Sequence, residues 1–265
     1  MAQLRDTILI ITLAWCMLAL PTSSHGQRKN SQGPGVTWAE GIVVDGNLAD
    51  WGDSLTNRHD SQDLQYQIKN DGTNLYVAMR VVDRDRQMQA LSQGFSFMVN
   101  TDGKRRPGPT VVYPIADRLS FRSIMSADND DRPEDMRVAG LQSIRAIYVL
   151  RFEEILDGQI SLDNDYGIQA GAKIDSTDAL CLEATVPLRR LGIERGYDRP
   201  LAFNIKINGM IAPRGNPNTR AVRQPGGYYG YPYGYGYGGY GQQTPSRPRE
   251  EPGSWLISVL SPPNH

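Results

Sequence analysis

The chain is written in short alternations of apolar and polar residues, each closed by a turn pair, and that period restricts it to β-structure. Leu64-Gln65-Tyr66-Gln67-Ile68 alternates, Asn70-Asp71-Gly72-Thr73 interrupts, and Leu75-Tyr76-Val77-Ala78-Met79-Arg80-Val81 resumes. Two such runs about an Asp-Gly pair predict a β-hairpin. Ile42-Val43-Val44 leads into Asp45-Gly46, and Phe95-Ser96-Phe97-Met98-Val99 closes at Asp102-Gly103. Further strands are predicted over residues 111–115, 144–152, 166–173, 179–186, 201–211 and 255–260. Helical spacing is limited to one or two turns in 86–92 and a single turn in 187–191, while 134–141 is ambiguous. Many short strands with regular turns and almost no helix predict an all-β fold: an antiparallel β-sandwich with immunoglobulin- or jelly-roll-like layers and few short helices.

The start of the chain does not belong to that pattern. Arg5 precedes an apolar run from Ile8 to Leu20, Pro21 ends the run, and Ser24 and Gly26 are small residues suited to cleavage before Gln27. This is the plan of a secretory signal peptide, residues 1–26, and it predicts export to the periplasm, the outer surface or the medium. The run is shorter than the roughly 17–25 residues of a spanning helix, so no stable membrane span is expected. Residues 27–39 read as a flexible leader, 40–260 as one domain, and 261–265 as a tail.

A second interruption lies within 212–253. Residues 226–241 read GGYYGYPYGYGYGGYG, eight Gly, seven Tyr and one Pro. Glycine at this density supplies nothing to pack and a large ordering entropy, which predicts a disordered insertion between two strands. Its tyrosine faces could also serve as an adhesive tract toward sugars or an envelope partner.

Charge and cysteine content narrow the function. Lys and Arg number 28 against 29 Asp and Glu, a net charge of −1, which offers no general field for nucleic acid. Beyond the signal only Cys181 remains, so no internal disulfide is available; it reads as a buried strand residue. A domain of about 235 residues can rely on its core instead. His59 and His265 are the histidines left, and no H-x-x-x-H, C-x-x-C, G-x-S-x-G or P-loop pattern occurs, so no enzyme is predicted.

Three stretches carry a resemblance. Val44-Asp45-Gly46-Asn47-Leu48-Ala49-Asp50-Trp51 is followed by Tyr66-Gln67-Ile68-Lys69-Asn70-Asp71-Gly72-Thr73-Asn74-Leu75-Tyr76-Val77-Ala78, and then by Gln93-Gly94-Phe95-Ser96-Phe97-Met98-Val99-Asn100 ahead of Asp102-Gly103-Lys104. In this order they resemble the start of a family 9 carbohydrate-binding module, within the wider DOMON-like superfamily. Tyr166-Gly167-Ile168-Gln169-Ala170-Gly171, Leu182-Glu183-Ala184-Thr185-Val186-Pro187-Leu188 and Trp255-Leu256-Ile257 fit its second half. The resemblance covers roughly 40–260 apart from the insertion. It implies an antiparallel sandwich, secreted or periplasmic, that binds a polysaccharide or oligosaccharide and does no chemistry. Asp45, Gly46, Asp50, Trp51, Asn70, Asp71, Gly72, Tyr76 and Trp255 are read as mainly structural: turns, with Trp51 over an edge of the core and Trp255 opening the last strand.

A sugar site needs an exposed aromatic face plus polar side chains. Such modules clamp the sugar between two Trp; here Trp38, Tyr113, Tyr148 and Tyr166 are the candidate faces. Family members also carry structural calcium, and Asp163, Asn164 and Asp165 on a predicted turn are the candidate ligands, with Asp128-Asn129-Asp130-Asp131 and Asp157 as further acidic groups. Some DOMON-like domains bind haem through Met or His, which brings in Met79, Met98, Met125, Met136 and Met210 as the alternative reading. The remaining alternative is an envelope scaffold that adheres through the Tyr/Gly loop.

Overall fold

A computed structural model describes residues 35–52, 55–126, 135–211, 249–250 and 253–263. The expected signal peptide, the Tyr/Gly tract and the acidic run 128–131 lie outside the described residues.

The strands form two six-stranded sheets. The first contains β1 (Thr37–Trp38), β3 (Leu64–Asn70), β4 (Asn74–Val81), β10 (Leu180–Pro187) and β9 (Gln169–Ile174), in that order, with β2 (Asn57–His59) also paired to β3. The second runs β14 (Ser254–Ser258), β11 (Leu201–Ile207), β5 (Phe95–Asn100), β6 (Thr110–Ala116), β7 (Ile144–Leu150) and β8 (Gly158–Ser161). A two-residue pair, β12 (Met210–Ile211) with β13 (Arg249–Glu250), stands apart. Alternation decides the faces. Leu64, Tyr66 and Ile68 of β3, Leu75, Val77, Met79 and Val81 of β4, and Leu180, Leu182, Ala184 and Val186 of β10 point inward. They meet Phe95, Phe97 and Val99 of β5 and Leu201, Phe203, Ile205 and Ile207 of β11. Phe97 and Phe203 stack at 6.2 Å, only 2° from parallel. The architecture is the expected all-β sandwich.

The predicted hairpin pairs in register, Leu64 opposite Val81 and Asn70 opposite Leu75. Its turn is built by Asp71, whose carboxylate accepts from Thr73 N, Asn74 N and the Tyr76 hydroxyl. Gly72 supplies a φ of +78° there.

Three helices gather at the opposite end: α1 (Arg84–Gln93), α2 (Arg118–Ser126) and α3 (Met136–Gln142). Asp83 caps α1 by accepting from Arg86 N. The buried Arg137 of α3 pairs with Asp135 and Asp178 and donates to Gln87 Oε1, tying α1, α3 and the β9–β10 turn together.

Several boundaries differ from expectation. Ile42-Val43-Val44 is not a strand: it crosses the outside of the first sheet, with Val43 64% exposed and its N–H bonded to the Asp50 carboxylate. The described fold includes residues ahead of 40: Val36 is in the core, and β1 pairs parallel with β3, a departure from a purely antiparallel sandwich. Val36 N donates to Ser258 Oγ, and the Tyr66 hydroxyl meets Ser254 Oγ, so the first and last described strands join one sheet to the other.

Candidate functional site

The segment Ala39–Gly52 lies across the outer face of the first sheet, and a buried carboxylate fixes it there. β10 alternates, so Cys181, Glu183 and Thr185 face away from the core, under this segment. Trp51 is buried with Ala39 and Leu55 over Tyr76 and Ala78. Glu183 is fully buried and accepts three hydrogen bonds, from Trp51 Nε1 at 2.5 Å, Gly46 N at 2.6 Å and Asp45 N at 3.2 Å. Burial pushes its carboxyl up to about 7, against the opposing pull of the Trp51 and Gly46 donors. Gly46 has φ +82°, and a Cβ there would stand 2.7 Å from the Ala172 carbonyl carbon. Lys69 lies 5.2 Å from the Trp51 ring centroid and donates to Trp51 O at 3.1 Å. The most perturbed carboxylate of the described residues is thus enclosed by the chain.

The four candidate aromatic faces are scattered. Trp38 is half-buried on β1, its ring against Gly72 and its Nε1 donating to Glu40. Tyr113 is in the core, edge-on to Phe95 at 6.4 Å, and burial raises its hydroxyl pKa; a ring so placed has no face for a sugar. Tyr148 is half-buried on the outer face of the second sheet beside Val112, Ile115 and Ala146. Tyr166 has Arg190 over its ring at 5.6 Å, and Arg190 is ion-paired to Glu154.

Asp163, Asn164 and Asp165 form the turn after β8. Asn164 closes it, donating to Ser161 O and Ile168 O and accepting from Tyr166 N. Its amide is therefore spent on the backbone. Among the described residues no three His, Cys, Asp or Glu side chains converge for a metal. Of the methionines, Met79 is fully buried in the core and Met98 half-buried on the outer face of β5.

That outer face of the second sheet also carries Trp255. β14 sends Leu256 into the core and leaves Trp255 and Ile257 on the outside. Register places Trp255 beside Asn204, Met98, Thr110 and Leu150 in one row, and Lys206 beside Ser96, Val112, Tyr148 and Gln159 in the next. Ser96, Thr110, Val112, Leu150 and Asn204 are buried, while Trp255, Met98, Lys206 and Tyr148 are half-buried and Gln159 and Ile257 exposed.

One residue pair further along β14, Ile257 lines an open hollow of about 400 Å³, away from the helices. Its other walls are Thr101, Asp102, Gly103, Lys104, Arg199 and Pro200. Asn100 Oδ1 holds the β5–β6 turn by accepting from Asp102 N and Lys104 N. The Tyr197 hydroxyl donates to Thr101 O at 2.5 Å, and Arg199 lies 4.9 Å from the Tyr197 ring centroid. Sequence reasoning missed this end. Its signal was the run Lys104-Arg105-Arg106 straight after an Asp-Gly turn.

No family model matches the chain, and no curated protein sequence does. Among solved structures, the chain is similar to a carbohydrate-binding module family 9 (CBM9) from Caldicellulosiruptor kristjanssonii in complex with glucose. The match covers 66% of this chain and 78% of that one at 11% identity, with a TM-score of 0.33. At that level it adds nothing to what the two sheets show. Among the described residues no helix is long and apolar enough to cross a membrane.

Proposed function

We propose that the chain is an exported, non-catalytic module that holds a polysaccharide on the outer face of its second sheet. The observation that carries this reading is the position of Trp255 on the same outward face of β14 as Ile257, which lines the open hollow. A half-buried indole offers an apolar plane for a pyranose ring, and flanking amides and cations suit hydroxyls. Tyr148, four strands away across the sheet, supplies a second aromatic group. The open hollow at the end of this face suits a chain running across it better than a small molecule enclosed within it. Glu183, the carboxylate best tuned to hold a proton near neutrality, is sealed beneath Trp51, which favours binding over acid–base chemistry.

The test is thermal unfolding of residues 27–265 with a panel of neutral and acidic polysaccharides. A ligand that binds only the folded state raises the midpoint by mass action. A shift of several degrees with at least one polysaccharide, abolished in Trp255→Ala, is expected. No shift with any of them would overturn the reading.

A further inference from the structure

We infer that the polysaccharide held here is an acidic one, its carboxylate or sulfate groups read by the cationic hollow at the end of the second sheet; this rests on the glycan-binding reading above. Lys104 and Arg199 are exposed walls of that hollow, Arg105 and Arg106 are exposed next to Lys104 in sequence, and none of the four is ion-paired among the described residues. Five arginines elsewhere, Arg58, Arg80, Arg84, Arg137 and Arg190, each form an ion pair. Across the two loops, 101–109 and 192–200, Lys104, Arg105, Arg106, Arg195 and Arg199 stand against Asp102, Glu194 and Asp198, five cations to three anions.

The cations are also held in place. Asn100 fixes the turn that carries Lys104, and Gly103 sits at φ +68° with no room for a Cβ, 2.8 Å from Pro200 O. That close approach presses the Lys104 turn against the Arg199 loop. Tyr197 then anchors both: its hydroxyl bonds Thr101 O and its ring carries Arg199. A guanidinium and an ammonium on two interlocked loops form a preorganised receptor for an anionic substituent.

Two observations favour an acidic sugar over a bare polyanion. The cations are local, in a protein whose net charge is −1, so no field extends along a long charged duplex. The hollow also shares Ile257 with the strand face that carries Trp255, which places a stacking surface next to the charges.

The experiment measures affinity for polygalacturonate, dextran sulfate, neutral dextran and inorganic polyphosphate, using residues 27–265, at several salt concentrations. The expected result is that one acidic polysaccharide binds at least roughly tenfold more tightly than dextran and polyphosphate, weakening steeply with salt as paired counterions are released. Lys104→Ala/Arg105→Ala/Arg106→Ala/Arg199→Ala removes that preference. Lys104→Gln/Arg199→Gln weakens it with less disturbance of the loops, and circular dichroism checks that both variants fold. Polygalacturonate and dextran sulfate separate carboxylate from sulfate recognition. Equal affinity for dextran and both acidic polymers would overturn the inference while leaving the glycan reading intact. Polyphosphate bound as tightly as the acidic sugars, or both variants binding like the parent chain, would also overturn it. Binding to no polysaccharide at all would remove both.

Discussion

The indole N–H of Trp51 donates to the Glu183 carboxylate at 2.5 Å, across 132 residues of sequence. The Asp-Gly…Asp-Trp stretch that is so conspicuous in the sequence is therefore anchored by a residue outside it. Two backbone N–H groups of the same stretch converge on the same carboxylate, so the segment docks as a unit or not at all.

That anchor predicts a strong asymmetry between substitutions. Glu183→Gln introduces an NH₂ that must face one of the three N–H donors, leaving a buried donor without an acceptor at a cost of about 1–3 kcal/mol. Trp51→Ala removes the ring as well and should cost about 3–5 kcal/mol. Urea unfolding of each variant gives the ordering; a Glu183→Gln variant as stable as the parent would show the carboxylate to be dispensable.

The same group sets a pH dependence. Glu183 has a folded-state pKa of about 7, raised from 4.5 by burial. The native state thus binds the proton more tightly than the unfolded chain. Its contribution is complete below 4.5 and is lost as pH rises through about 7, up to about 3 kcal/mol. Asp175, held down to about 2 by Thr177, Ala179 and Arg80, acts in the opposite sense and in a separate window, losing its stabilisation as pH falls from 3.8. Thermal midpoints should therefore fall between pH 5 and pH 8, by about 6–12 °C at the upper bound, and Glu183→Gln should flatten that fall.

Two glycines with similar backbone angles should respond differently to a methyl group. Gly46 (φ +82°) has backbone atoms 2.7 Å from an added Cβ, whereas Gly192 (φ +66°) has open space. Gly192→Ala pays only for the left-handed backbone, about 1 kcal/mol. Gly46→Ala must also push β9 away and should cost several-fold more by denaturant titration.

The buried Arg137 provides a further contrast with the surface pairs. Arg137→Ala leaves Gln87 and two carboxylates without their cation and should destabilise by about 3–5 kcal/mol. Arg84→Ala breaks an exposed pair to Asp178 and should change stability by less than about 1 kcal/mol.

What the sequence made legible follows from where the side chains' information lies. The β3–β4 hairpin was readable because Asn70-Asp71-Gly72 makes its turn from its own side chains. The sandwich was readable because inward positions repeat with period two. Ile42–Val44 misled because a covering segment needs apolar residues just as a strand does. For a related reason Tyr113, expected as an open aromatic face, lies in the core, while Trp255 is half-buried on the outer face. Alternation says that two faces differ, but not which one meets the other sheet. Glu183 gave a faint signal, one acid in an apolar run, and only its partners explain it. The hollow was not legible because its walls come from β5–β6, the loop before β11, and β14, brought together only by the sheet.

The bond from Val36 N to Ser258 Oγ spans 222 positions. β1 finds its sheet partner β3 early, but the bond from Val36 to β14 can form only once Ser258 is present. That link between the sheets is therefore a late one to close. A contact of such long range also slows folding relative to a helical protein of equal size. β14 thus acts as a clasp between the sheets, and removing it should loosen Val36 while β1 stays paired to β3.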